Sequence, residues 1–261
     1  MSIDLSIIIP EFNESERITS TLERVDRFAR RLRGGSAPVG SYEIIVVDDG
    51  SSDDTREVVE QISLELPAVR CVRYENNRGK GHAVRVGMLV ATGSVRLMTD
   101  ADCSIPPEEM PKLLEPLISK RADIAIGSRY SEGADVMVKQ PAWRIAWSRL
   151  CNTVIQRTLV GGIRDTQCGF KAFTASAARE IFSQTRIDGW AFDLEVLALA
   201  RQANLRIVER GVAWEDDPRT RVNPIKDFVS VVREYRKIRH NLRHGVYHQQ
   251  LASVSVSHSS L

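Results

Sequence analysis

Two stretches of this sequence run from apolar, β-prone residues straight into clustered carboxylates, and that restricts the chain to few architectures. The first is EIIVVDDGSSDDT, residues 43 to 55, and the second is VRLMTDADCSIPPEE, residues 95 to 109. Asp48 and Asp49 close the first apolar run, and Asp100 and Asp102, spaced D-x-D, close the second. Short continuous apolar runs fit strands buried on both faces, as in a mainly parallel sheet covered by helices. In such a sheet ligands bind beyond the carboxyl ends of the strands. Four carboxylates gathered there repel one another unless a cation or hydrogen-bond donors sit among them. Hard oxygen ligands suit Mg²⁺ or Mn²⁺, usually alongside substrate phosphates. The pattern points to an enzyme that holds a metal–nucleotide.

The rest of the first half alternates in the same way. Strands are expected at Leu5–Ile9, stopped by Pro10, and at Glu43–Val47, Val69–Tyr74, Val95–Thr99 and Ile124–Ile126. Between them, helical patterns run from Ser15 to about Arg33, from Asp54 to Leu64 and from Gly79 to Ala91. The last of these places Ala83, Val86, Gly87 and Val90 on one face. Gly34–Gly40 is a Gly/Ser/Pro loop. This is the βαβα order of an α/β fold. The second half is less regular. It has helical periodicity over Pro141–Leu159, Ala175–Phe182 and Asp193–Ala203, a loop at Gly161–Gly169 and a short strand at Arg206–Glu209.

A basic amphipathic helix is expected from Asn223 to Arg243, with Ile225, Phe228, Val232, Tyr235 and Leu242 near helical spacing. Between Arg219 and Arg243 eight Lys/Arg stand against two acids, a local charge of +6 in a chain whose total is +2. The expected organisation is a catalytic domain over residues 1–218, this basic segment over 219–248, and a disordered tail over 249–261. The four cysteines, Cys71, Cys103, Cys151 and Cys168, have the spacing of neither a zinc site nor a disulfide framework and read as reduced thiols. No segment reaches the roughly 18 consecutive apolar residues that span a bilayer. The chain opens directly into a strand, so no leader is expected. A cytoplasmic protein follows, soluble or peripheral on the inner face of a membrane.

Each motif has a functional and a plainer reading. In PEFNESE (10–16), Phe12, Asn13 and Glu14 could hold a base and ribose, or Asn13 or Ser15 could simply cap a helix. In DDGS (48–51) a carboxylate can accept the imide N–H of uracil, or the aspartates can open a helix. NNRGKGHAVRVG (76–87) offers backbone N–H groups and Lys80 to a phosphate, but it is neither a Walker A loop nor G-x-G-x-x-G. TDADCSIP (99–106) is the sharpest, with Asp102 as metal ligand and Asp100 nearer the ribose or sugar; the alternative is a solvated turn. Arg129 and Arg144 suit bidentate phosphate recognition or the surface. Asp165, Asp193 and Glu195 are candidates for acceptor handling or general base, with Trp190 and Phe192 beside them or in the core. His82 reads as structural or exposed.

SIIIPEFNE, VVDDGSSDDT, NRGKGHAVRVGM and DADCSIPPEE, in this order, resemble glycosyltransferase family 2, the inverting GT-A enzymes, over roughly residues 5 to 217. GSRY, IRDTQCGFKAF and IDGWAFDLEVLALA narrow the resemblance to the dolichyl-phosphate β-glucosyltransferase branch and its bacterial polyprenyl-phosphate relatives. The resemblance implies a Rossmann-like nucleotide-binding sheet and transfer of glucose from UDP-glucose to a polyprenyl phosphate, with inversion. It implies nucleotide contacts at Pro10, Phe12, Glu14, Asp49 and Lys80 with Asp48 in support, and a metal at Asp102 with Asp100. Arg129, with Arg144, matches arginines that grip the acceptor phosphate in related mannosyltransferases, and Asp165 and Trp190 fall on the acceptor side. Those mannosyltransferases typically carry Gln and His after D-x-D; Ser104 and Ile105 stand here, which favours the glucosyl branch.

The implied partners are UDP-glucose and a polyprenyl phosphate, with no nucleic acid and room for a homodimer. An ionised phosphate acceptor needs little general-base help, whereas a hydroxyl acceptor would need a base, for which Asp193 is the candidate. Eukaryotic members carry an N-terminal membrane anchor, and none is expected here. The basic helix could replace it on an anionic membrane, or could pack its apolar face on the domain. Alternatives kept open are a soluble sugar or glycan acceptor, a GDP-mannose donor, a silent nucleotide-sugar-binding protein and a nucleotidyltransferase.

Overall fold

The computed structural model describes residues 3–32, 39–136, 153, 155–215 and 224–248. Most of the Gly34–Gly40 loop, most of the expected helix after Pro141 including Arg144, and the tail from residue 249 lie outside these. The described chain runs β1 (Ile3–Glu11), α1 (Ile18–Arg31), β2 (Val39–Asp48), α2 (Thr55–Glu65), β3 (Val69–Arg73), α3 (Lys80–Val90) and β4 (Val95–Met98). It continues with α4 (Met110–Ile118), β5 (Ile124–Ser128), β6 (Asp135–Val136), β7 (Lys171–Thr174), α5 (Ala175–Phe182), α6 (Phe192–Gln202), β8 (Ile207–Gly211), β9 (Ala213–Trp214) and α7 (Pro224–Arg243).

The main sheet has seven strands in the order β3-β2-β1-β4-β7-β5-β8. All neighbours are parallel except β7, which runs antiparallel between β4 and β5. A two-stranded parallel pair, β6 with β9, lies beside it. Successive side chains along a strand point to opposite faces, and here they divide the core in two. Ile7, Ile9, Ile44, Val46 and Leu97 pack with Ile18, Leu22 and Val25 of α1 and Leu113 of α4. Ile8, Ile45, Val47, Met98 and Phe173 pack with Ala83, Val84 and Met88 of α3 and with α5 and α6. Covering both faces explains why the strands read as continuous apolar runs.

Several expected boundaries shift. Strand β1 passes through Pro10 to Glu11 instead of stopping at Ile9. Even-numbered residues of β1 turn their backbone groups toward β4, as Ile8 O accepts from Thr99 N at 3.0 Å. Pro10 shares that parity but lies beyond the last β4 pair, Ile8 with Met98, so its missing N–H leaves no ladder bond unmade. Strands β2 and β5 are also longer than expected, and β7 and the β6–β9 pair were not anticipated. On α3, Ala83 and Gly87 are buried as expected while Val86 and Val90 are only half-buried; His82 joins the buried side instead.

Candidate active site

The parallel strands bring Glu11, Asp48 and Asp49, Thr99 to Asp102, and Arg129 to one edge of the sheet. The PEFNESE and DDGSSDD segments interlock there. Asn13 N donates to Ser51 Oγ (2.8 Å), Ser52 N donates to Asn13 Oδ1 (2.8 Å), and Glu14 N donates to Thr55 Oγ1 (2.9 Å). Ser15 Oγ donates to Asp53 Oδ2 at 2.9 Å. Neither Asn13 nor Ser15 caps α1, whose N-cap position is Arg17, so the plain capping reading fails. Glu14 pairs with Arg17 at 2.5 Å. Phe12 is left 39% exposed at the rim, where a flat base can lie against it.

Asp48 is fully buried and accepts from Ser51 N at 2.8 Å, closing the turn, with Arg73 Nε 3.3 Å from its other oxygen. Asp49 works on the neighbouring loop. Its Oδ1 accepts from Tyr74 Oη (2.6 Å) and Arg78 N (2.8 Å), and its Oδ2 from Gly79 N (2.8 Å). The second aspartate of DDGS therefore fixes the Gly-rich loop that opens α3. Gly79 has φ +104°, and a Cβ there would meet Asp188 O at 2.5 Å. The loop thus holds a left-handed conformation that suits glycine.

Lys80 leads from that loop into the D-x-D motif. Its Nζ lies 2.6 Å from Asp100 Oδ1 and 5.3 Å from the centroid of Trp190, which is 41% exposed. Asp102 accepts from Ser104 N at 2.9 Å, and burial followed by the charge of Asp100 raises its pKa. Gly169 packs directly under this motif, so that a Cβ on it would run into the Asp100 carboxylate. Two adjacent acids, one of them held above its ordinary range, fit a hard divalent cation. No cluster of three or more His, Cys, Asp or Glu converges among the described residues. Asp102, with Asp100, would be the residues to hold such an ion, and substrate oxygens or water would have to supply its remaining ligands, as is common for Mg²⁺.

Arg129 follows β5 on the far side of the motif. Asp165 grips one edge of its guanidinium, with Nε to Oδ2 at 2.8 Å and Nη2 to Oδ1 at 2.9 Å, and also accepts from Arg129 N at 3.0 Å. Burial would raise the Asp165 pKa, but the bonds and charge of Arg129 outweigh it and hold the carboxylate ionised. Glu209 accepts from the backbone N–H groups of Arg164 and Asp165, fixing that loop. The Arg129 side chain stays partly exposed, with the rings of Tyr130 and Trp214 each 5.7 Å from its guanidinium carbon.

Asp193 does not stand free as a base. Lys171 Nζ, fully buried, lies 2.6 Å from its Oδ1 and also donates to Cys168 O at 2.5 Å. Glu195 is withdrawn from the site altogether. It accepts from Arg186 N, Ile187 N and Tyr247 Oη, and so pins the loop before α6 to the C-terminal segment. Phe192 is core, and His82 is buried against Tyr74 and Arg85. Residues that the motif reading missed include Glu11, Lys171 and Asp188. Asp188 is lowered to about 2: burial opposes ionisation, but a hydrogen bond from His82 and the charge of Arg85 prevail. A lysine inside the apolar run GFKAF was the available signal for Lys171.

Comparison with known proteins agrees with this geometry. The family model described as glycosyl transferase family 2 matches residues 6–182. The dolichyl-phosphate beta-glucosyltransferase of Dictyostelium discoideum is 32% identical over 252 residues, covering 94% of this chain and 77% of that one. The Drosophila melanogaster protein of the same name is 36% identical over 240 residues, 89% and 73% of the two chains, and the Homo sapiens protein 32% over 243, 90% and 74%. Among solved structures, glucosyl-3-phosphoglycerate synthase from Mycobacterium tuberculosis, in complex with Mn²⁺, UDP and glucosyl-3-phosphoglycerate, superposes with a TM-score of 0.62 at 18% identity, over 93% of this chain and 80% of that one. That likeness bears on the fold. A carboxylate edge built around D-x-D, together with relatives of this similarity over most of their length, shows that the chain belongs to glycosyltransferase family 2.

Proposed function

We propose that this protein transfers glucose from UDP-glucose to the phosphate of a polyprenyl, dolichyl-type lipid, giving a β-linked sugar phosphate with inversion at the anomeric carbon. The observation that carries this reading is the Arg129–Asp165 pair. A bidentate carboxylate orients the guanidinium, and the side chain stays partly exposed after β5, two strands over in the sheet from β4, which leads into D-x-D; an oriented, accessible guanidinium is what recognition of an anionic phosphate requires. With Asp193 engaged by Lys171, the arrangement suits an acceptor that needs no proton removed. An acceptor phosphate oxygen forms the new bond to the anomeric carbon, the bond to UDP breaks, and UDP leaves with that electron pair. Phe12, Asp48 and Asp49 would frame the uridine, and Lys80 and the Gly79 loop would face the diphosphate. Mg²⁺ or Mn²⁺ at Asp102 and Asp100 would neutralise the leaving diphosphate.

Contact with a membrane is the natural setting for such an acceptor, and α7 provides a face for it. Val231, Tyr235, Ile238 and Leu242 pack inward on the core, and Glu234 turns inward to accept from Ala191 N at 2.9 Å. Arg236, Arg239 and Arg243, with Tyr235, His240 and His244, line an outer groove of about 350 Å³. None of these arginines has a carboxylate within ion-pair distance among the described residues. Both sequence readings of this helix thus contribute: its apolar side packs on the domain, and its basic side is the one we assign to anionic lipid.

The test is UDP release from UDP-glucose with Mn²⁺, with and without a short polyprenyl phosphate. Release should require the lipid phosphate and should fall at least about a hundredfold in Asp102→Ala and Arg129→Ala. Lipid-independent release that ignores Arg129 would instead indicate a soluble acceptor or hydrolysis.

A further inference from the structure

Among the described strands of the main sheet β7 alone runs antiparallel to its neighbours, and it lies between the strands that carry the two halves of the site. Its first residue, Lys171, stands in register with Met98 of β4 on one side and Ile126 of β5 on the other. Met98 is two residues before Asp100, and Ile126 is three before Arg129. Phe170 and Ala172 face the α1–α4 core, while Lys171 shares the opposite face with Phe173. A cation with no exposed surface is thereby planted in the floor between the D-x-D acids and the acceptor arginine.

Burying an ammonium requires a partner, because an isolated buried charge is costly. Asp193, itself 5% exposed, is that partner at 2.6 Å, and Cys168 O supplies a second acceptor. The charges facing the pair are Lys80 and Asp100 on the donor side and Asp165, held by Arg129, on the acceptor side. With Lys171 in place, each of Asp100, Asp193 and Asp165 has a cation of its own. Burial already raises the Asp193 pKa with Lys171 in place; without the ammonium the carboxylate would take up a proton or stand as an unmatched negative charge in the floor between the two halves of the site.

Resting on the reading that the acceptor is a phosphate, we propose that Lys171 is a specificity-determining, positioning residue: by neutralising Asp193 it makes the site accept an anionic acceptor. It touches no substrate and acts through Asp193. The two halves of the pair then have opposite effects on anion affinity, which a merely structural role would not produce. Lys171→Met leaves the carboxylate unmatched, and its ionised form repels phosphate. Asp193→Asn leaves the ammonium unmatched, and its charged form attracts it. Removing both restores neutrality, as replacement of a buried pair often does at little cost to folding.

The experiment is titration calorimetry of farnesyl phosphate into protein saturated with UDP and Mn²⁺, with UDP affinity measured separately for each variant. Lys171→Met should weaken farnesyl phosphate binding about tenfold or more, Asp193→Asn should tighten it severalfold, and the double variant should return to within about threefold of wild type. UDP affinity should move less than about threefold throughout. If Lys171→Met does not fold, the opposite shifts of Asp193→Asn and the double variant still decide the matter. Both single variants weakening binding, neither shifting it, or UDP affinity moving in parallel would overturn the proposal. Turnover of wild type with the same lipid is run alongside: binding that follows this pattern without glucose transfer would sink the transferase reading and leave the role of Lys171 standing.

Discussion

Glu11 is buried at the end of β1, 4% exposed, with neither carboxylate oxygen hydrogen-bonded. Burial, and then the charges of Asp48, Glu14 and Asp53, push it from 4.5 up to about 9. Its folded value therefore lies above its unfolded one. Its contribution to stability is fully present below about pH 4.5 and is lost as pH rises toward 9. Glu11→Gln removes that loss. Urea unfolding should show the variant close to wild type at pH 5 and more stable by on the order of 1–3 kcal/mol at pH 8; a difference that does not grow with pH would refute the assignment. The aspartates were legible in the sequence because a charge at the end of an apolar run is a local pattern. Glu11 and Lys171 were not, because their meaning depends on which strands lie beside them. Asp49 was legible as a carboxylate at the end of a strand but not in its contacts, which hold the backbone of Arg78 and Gly79.

At the level of elements, the β-to-α turns do the positioning. The CGFK segment is a floor on which Asp100 and Asp193 both rest, through Gly169 and Lys171. Gly169→Ala would push on the Asp100 carboxylate, and the ion pair with Lys80 shares that displacement. The expected result is Mn²⁺-dependent UDP binding weakened about tenfold or more, with only a modest loss of thermal stability, read by calorimetry and thermal melting. Unchanged UDP affinity would separate Gly169 from the site. The helices were readable from their apolar periodicity, and Ala175–Phe182 falls where that periodicity places it. Strand β7 was not, since four residues carry too little pattern to be told from a loop, and its direction is set by the strands on either side.

For the whole molecule, α7 links a basic exterior to the loop that carries Trp190. Glu234 holds Ala191 N beside Trp190, while the groove is lined by Arg236, Arg239 and Arg243, none with a carboxylate within ion-pair distance among the described residues. Charge reversal at Arg236, Arg239 and Arg243 should abolish cosedimentation with vesicles of phosphatidylcholine and phosphatidylglycerol at low salt. It should leave UDP binding unchanged, and wild type should release from the vesicles as salt rises. Equal cosedimentation of both forms would rule out this face. The basic run was legible, but its division into an inner and an outer side needed the packing of Ile238 and Leu242. The threading of the sheet also bears on how the chain assembles. Strands β1 to β4 can pair as soon as residue 98 is available, but β5 and β8 reach the sheet only through β7, which is made some forty residues after β5. The half of the sheet that carries the D-x-D acids can therefore zip up early, while the half that carries Arg129 waits on non-local contacts that are slow to form. Pulse-labelled hydrogen exchange during refolding should find β1, β2 and β4 protected before β5 and β8.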